Sequence, residues 1–216
     1  MKKLSILVVT MLIGVLLCSC SSETDSLGSD LQESDSNVST PKYIKDIENM
    51  SDEDFLYNYI NGLEVACNLN FCDASEISSD DLFTFFLYSL FIDEVSYEEY
   101  ENKWFDKELN MFVIPKEDIT SQLDRYFKGY DFDITKVEKL AAKYYDESKN
   151  AILISMIDGF GGDRFTKIVD RSINGNVVSV TVEFYDEDYK ELFETKTYEI
   201  EFHDKGYYLL KIETKE

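Results

Sequence analysis

His203 is the only histidine among 216 residues, and Cys18, Cys20, Cys67 and Cys72 are the only thiols. One imidazole cannot supply a two-histidine zinc site, a His-Glu-x-x-His helix or a multi-histidine iron site. A Ser-His-Asp triad or a Cys-His pair would have to use His203, and the chain has no Gly-x-Ser-x-Gly elbow. His203 falls on the polar side of an alternating strand pattern, where a solvated side chain is expected. Carboxylates are plentiful instead: 44 Asp and Glu face 21 Lys and Arg, a formal net charge of −23. A glycosidase needs two of them about 5–10 Å apart across a cleft; the sequence offers many pairs and singles out none. The clusters Asp131/Asp133 and Asp186/Glu187/Asp188 lack the spacing of a calcium-binding EF-hand loop, so they read as solvated acidic surface. No metal or cofactor site is expected.

The run Asp158-Gly159-Phe160-Gly161-Gly162-Asp163 is the one glycine-rich loop. It lacks the Gly-Lys-Ser/Thr of a phosphate loop, and Arg164 stands where the last glycine of Gly-x-Gly-x-x-Gly would be. Three readings stay open. In the first the glycines only turn the chain between two strands, in the second the loop presents Phe160 to a partner, and in the third Asp158 and Asp163 hold calcium.

The first residues carry a different chemistry. Lys2 and Lys3 precede an apolar run from Leu4 to Leu17, too short for a comfortable membrane span of about 20 residues. Leu17-Cys18-Ser19-Cys20 follows, and it resembles the lipobox of bacterial lipoproteins. That resemblance implies cleavage before Cys20 and a diacylglycerol on its thiol; an ordinary signal peptide, or lipid on Cys18, is the alternative. Residues 1–19 are therefore expected to be a signal peptide. Residues 20–41 are expected to be a lipid-anchored tether, because 21–41 holds nine Ser or Thr, five acids and no aromatic residue. The expected location is the extracytoplasmic face of the cell membrane. The acidic balance argues against nucleic acid and against direct contact with an anionic bilayer. Cys67 and Cys72 are then the remaining thiols. Export permits a disulfide between them, with two free thiols as the alternative.

Residues 42–216 are long enough to bury a core as a single domain. The first half has helical spacing. Ser51 precedes Asp52-Glu53-Asp54 and the series Phe55, Leu56, Tyr59, Ile60, Leu63, Cys67. Ser79-Asp80-Asp81 opens a helix apolar nearly all round, from Leu82 to Ile92. Ser96 caps a third helix with Tyr97, Tyr100 and Trp104 on one stripe, and Pro115 starts a fourth that runs toward Gly129. The second half alternates. Val178, Val180, Val182 and Phe184 form one dry face, Tyr198, Ile200 and Phe202 another, and Tyr208, Leu210 and Ile212 a third. Asn174-Gly175-Asn176 and Asp204-Lys205-Gly206 suit hairpin turns, and 142–146, 151–156 and 164–173 are further candidate strands. The expectation is an α+β domain, with N-terminal helices covering a C-terminal antiparallel meander sheet. Its element order is similar to NTF2-like or cystatin-like folds. Ile114-Pro115-Lys116-Glu117-Asp118-Ile119, Tyr144-Tyr145-Asp146 and the glycine loop also resemble segments of uncharacterised clostridial surface lipoproteins, over residues 110–200, without implying an activity. The function expected is a non-enzymatic, lipid-anchored binding module for a protein or glycan, with a carboxylate-dependent glycan hydrolase as the alternative.

Overall fold

The computed structural model describes residues 40–138, 143–157, 159–162, 164–186 and 189–215, with the side chains of 143 and 144 excepted. The expected signal peptide, Cys20, nearly all of the expected tether, Asp158, Asp163, Glu187 and Asp188 lie outside the described residues. Among the described residues no helix is long and apolar enough to cross a membrane.

The fold is α+β, as the change of period predicted. Its C-terminal part is an antiparallel meander of β5 (Phe165–Asn174), β6 (Val177–Tyr185), β7 (Leu192–His203) and β8 (Gly206–Thr214), in that spatial order. Register follows the alternation in β6 and β7: Val178 pairs with Ile200 and Val180 with Tyr198, so their side chains share one dry face. In β8 the buried residues are Tyr207, Leu209 and Ile212, not the expected Tyr208 and Leu210, because the pairing skips residue 210 at a bulge. Gly175 turns β5 into β6 at φ 64°, a backbone conformation that a Cβ resists.

The dry face is covered by α1 (Lys42–Glu48) and by a longer helix over residues 52–66. That helix starts as α2 (Asp52–Phe55), widens into a π turn (Leu56–Asn61) and finishes as α3 (Gly62–Ala66). Ser51 caps it, its hydroxyl accepting from the Asp54 N–H, and three acids fill the first turn at the positive helix end. Phe55 and Ile60, both fully buried, reach the sheet, where Phe55 meets Phe202 at 6.4 Å between ring centroids. Arg171 on β5 lays its guanidinium 4.5 Å over the Phe55 ring and donates to the Met50 carbonyl at 3.0 Å. That contact ties the sheet to the start of the helix.

A second sheet, which the sequence reading did not separate from the first, has the order β1-β2-β4-β3. It is built from β1 (Phe105–Asp106), β2 (Met111–Pro115), β3 (Lys143–Asp146) and β4 (Ala151–Ile154). Pro115, expected as the first helical residue, ends β2 and serves as N-cap of α6 (Lys116–Leu123). Its missing N–H suits either role. The helix α4 (Ser79–Ile92) starts behind Ser78, one residue before the expected cap, and buries Leu82, Phe83, Phe85, Phe86, Leu87 and Leu90. Buried Ser89 satisfies its hydroxyl by donating to the Phe86 carbonyl at 2.7 Å. The helix α5 (Tyr97–Trp104) is capped by Ser96 in a reciprocal box with Glu99. Trp104 donates its indole N–H to Asp118 on α6 at 2.8 Å.

The expected Cys67–Cys72 bridge is not formed: both thiols are free. Cys67 ends α3 packed against the core, while Cys72 lies beyond a left-handed Asn68 (φ 46°) with its Sγ 3.6 Å from Glu213 on β8. Between them, Phe71 exchanges backbone hydrogen bonds with Ile212, which fixes the segment along β8 and holds the two cysteines on different surroundings. Burial, then the charges of Glu64 and Asp81, push the Cys67 thiol far above its ordinary value, so it is an inert packing group.

Candidate binding cleft

The π turn decides where the cleft lies. Leu56 and Ile60 point inward, and the wide turn leaves Tyr57, Asn58 and Asn61 on the outer side. Such turns are rare and recur at functional sites. Together with Tyr88 and Phe91 of α4, and with Phe160, Gly162 and Arg164 after β4, they line a solvent-open cleft of about 490 Å³. That volume falls within the range of small-ligand sites.

Phe160 stands edge-on to two rings, at 6.0 Å from Tyr88 and 5.8 Å from Phe91. It is 37% exposed, so it is neither a sealed plug nor a free tip; it forms a wall. The glycines beside it have distinct uses. A Cβ on Gly159 would touch the Phe91 ring at 3.7 Å, and Gly162 adopts φ 143° against Val65. Tyr57 faces it across the cleft surface with 79% of its area exposed.

The polar groups are held from behind. Thr166 donates to Asn61 Oδ1 at 2.7 Å, which orients the amide and leaves its NH2 for the cleft. Arg164 donates from Nη2 to the Glu64 carbonyl at 3.3 Å, and no ion pair engages it among the described residues. Tyr88 approaches the helix backbone closely: a Cβ on Gly62 would meet its hydroxyl oxygen at 2.6 Å. Burial, then the neighbouring Cys67 sulfur, hold the Tyr88 phenol well above its usual range, so its O–H stays a donor.

Of the residues nominated from sequence, Phe160 and Gly162 line the cleft, Gly159 supports Phe91, and Gly161 has nothing within 4 Å of a would-be Cβ. Tyr57, Asn58, Asn61, Tyr88, Phe91 and Arg164 were not nominated. One signal was available: Gly62 inside an otherwise regular helical pattern marks a close approach.

His203 lines a second, smaller pocket of about 340 Å³ with Asp93, Arg125, Tyr126 and Tyr208. It is less solvated than expected. Its ring lies 4.7 Å from Tyr208, Nδ1 accepts from the Lys205 N–H at 3.2 Å, and Nε2 is buried without a partner. Asp93 is already engaged by Arg125, by Gln122 at 2.5 Å and by the Tyr126 hydroxyl at 2.8 Å. With two bonds from Arg125 it accepts four in all, which fills its four acceptor sites and leaves none for a base. No group of three or more His, Cys, Asp or Glu is placed to hold a metal among the described residues.

A buried ion pair, absent from the sequence reading, sits one residue along the helix from the cleft. Lys196 of β7 and Glu64 of α3 are 1% and 2% exposed and meet at 2.7 Å. Lys196 also donates to Asn68 Oδ1 at 2.5 Å. Glu64 Oε1 and the Tyr198 hydroxyl are both buried and act on each other, with no third partner among the described residues. Burial raises the Glu64 carboxyl above its ordinary value, with Lys196 pulling the other way.

No protein-family model, curated protein or solved structure matched this chain.

Proposed function

We propose that the protein is a lipid-anchored, extracytoplasmic binding module that takes a glycan in the Tyr57–Phe91–Phe160 cleft. The observation that carries this reading is the convergence of three partly exposed rings from three separate elements on two asparagine amides and one guanidinium. Aromatic faces bury the apolar C–H faces of a sugar, and amide and guanidinium donors reach its hydroxyls. Part of the site is prepared: Phe160 is braced edge-on by Tyr88 and Phe91, and Asn61 is oriented by Thr166. Held in advance, they lose little freedom on binding. The lipobox-like Leu17-Cys18-Ser19-Cys20 and the Ser-rich, acidic stretch behind it support attachment to the membrane by lipid on Cys20 alone.

Two experiments test the two halves of the proposal. On immobilised cell-wall polysaccharide and a panel of oligosaccharides, Tyr57→Ala and Phe160→Ala should each weaken retention about tenfold, the equivalent of about 1.4 kcal/mol. Wild-type protein that retains none of these glycans, or variants that bind as well as wild type, would overturn the glycan reading. In palmitate-labelling and fractionation, Cys20→Ala should abolish label and move the protein out of the membrane fraction, and Cys18→Ala should do neither. Label surviving Cys20→Ala would exclude that anchor.

A further inference from the structure

Lys196, Glu64 and Asn68 bring an amine, a carboxyl and a carboxamide to one point beneath α3, and no step of the proposed binding uses them. The Lys196 ammonium is 1% exposed and donates to Glu64 Oε2 at 2.7 Å and to Asn68 Oδ1 at 2.5 Å. Because a carbonyl bond is about 1.23 Å long, Nζ lies no more than about 3.7 Å from the Asn68 Cγ carbon, close to the ~3–3.5 Å of a near-attack arrangement. The rest of the Glu64 carboxyl is buried beside the Tyr198 hydroxyl, which acts on it as a donor.

We propose that Lys196 and Asn68 form an intramolecular isopeptide bond, with Glu64 as proton carrier. Glu64 takes a proton from the Lys196 ammonium, and the neutral Nζ adds to Asn68 Cγ. The Nζ–Cγ bond forms, the Cγ–Nδ2 bond breaks, and Nδ2 leaves as ammonia after receiving one proton relayed from Nζ through Glu64; the second proton lost from Nζ stays on Glu64. No electron changes hands and no co-reactant is needed. Asn68 supplies the exit, since it stands at the surface in a left-handed conformation (φ 46°), directly after the α3 C-cap Cys67.

Burial supplies the driving condition. A buried ammonium and carboxylate are each costly to keep out of water. The reaction replaces the ammonium by a neutral amide and leaves Glu64 protonated, the state that burial already favours at this site. The Phe184 ring centroid lies 5.9 Å from Nζ, and the partly exposed Glu194 carboxylate lies 3.8 Å from it.

The same contacts also suit a plain arrangement, in which an asparagine in the left-handed position ends the helix and a lysine meets its carbonyl end. Peptide mapping of the full chain separates the two. The bond predicts a branched peptide joining the segments around Asn68 and Lys196, lighter by one ammonia than the two linear peptides together, and resistant to trypsin at Lys196. Lys196→Arg, which keeps the cation, should give linear peptides only. Glu64→Gln should cut the linked fraction at least tenfold. Linear peptides alone from the wild-type chain would overturn the proposal. A link lighter by one water and mapping to Glu64 would overturn the assignment to Asn68, and full linkage in Glu64→Gln would overturn the role of Glu64.

Discussion

Replacing Lys196 by methionine should cost the protein about 3–5 kcal/mol of stability, read as a shift in the urea midpoint. The pair is almost wholly buried, so removing the ammonium leaves Glu64 without its counter-charge in a medium that solvates it poorly. The double variant Lys196→Met/Glu64→Leu should recover most of the loss, because two apolar side chains of similar volume need no compensation. A single-variant loss below about 1 kcal/mol would mean that water reaches the pair. In chains where the Lys196–Asn68 link has formed the ammonium is already gone, and the loss is then that of the crosslink; peptide mapping says which applies.

The same site sets a pH dependence. The folded-state pKa of Glu64 is raised from 4.5, so the folded protein holds this proton more tightly than the unfolded chain does. Its contribution to stability is therefore full below pH 4.5, declines as pH rises toward the raised value, and is flat beyond it. Glu201 runs the other way. Hydrogen bonding from Lys128 is the largest cause lowering its pKa, so its contribution is present above its ordinary value and lost in acid. In Glu64→Gln the decline above pH 4.5 should disappear, while the acid limb remains.

Phe85→Ala should cost about 3–5 kcal/mol, the range for emptying a large aromatic site. Phe85 is fully buried, with Phe127 at 4.7 Å, Tyr126 at 5.2 Å and Tyr88 at 6.0 Å around it, all edge-on. It supports Tyr88 from behind, so the variant should also loosen the cleft wall. Calorimetry gives the first effect and glycan retention the second. A loss under about 1 kcal/mol would mean that the surrounding rings close over the gap.

The meander was legible because each strand buries one face, so that alternation survives in the residues themselves: Val178, Val180 and Val182, then Tyr198, Ile200 and Phe202. Extended one step toward the N-terminus, the second series reaches Lys196, a charged residue at a dry position, and one step further the partly exposed Glu194. That break in pattern was the readable sign of a buried ion pair. The caps at Ser51 and Ser96 were legible because their hydroxyls act within three residues. The second sheet was not, since β1 has two residues, β2 has five, and Pro115 suits a helix start as well as a strand end. The cleft draws on the helix from Tyr57 to Val65, on Tyr88, Phe91 and Ile92, and on Phe160, Gly162 and Arg164, which only tertiary packing brings together. Only the glycine loop with Phe160 and Gly162, and Gly62 within the helix, are local signs of it.

The π turn has a consequence for what the cleft is made of. Phe55 and Leu63 are both buried, yet they lie eight positions apart. At about 100° per residue, a regular α-helix would set them about 80° out of phase; a wide turn that absorbs one residue brings them within about 20°. The core thus recovers its phase by expelling one residue's worth of chain sideways, and Tyr57 and Asn58 ride on that surplus. Their identities are free of the packing that fixes Phe55, Ile60 and Leu63, so substitution could vary the recognition surface while the hydrophobic interior stays as it is.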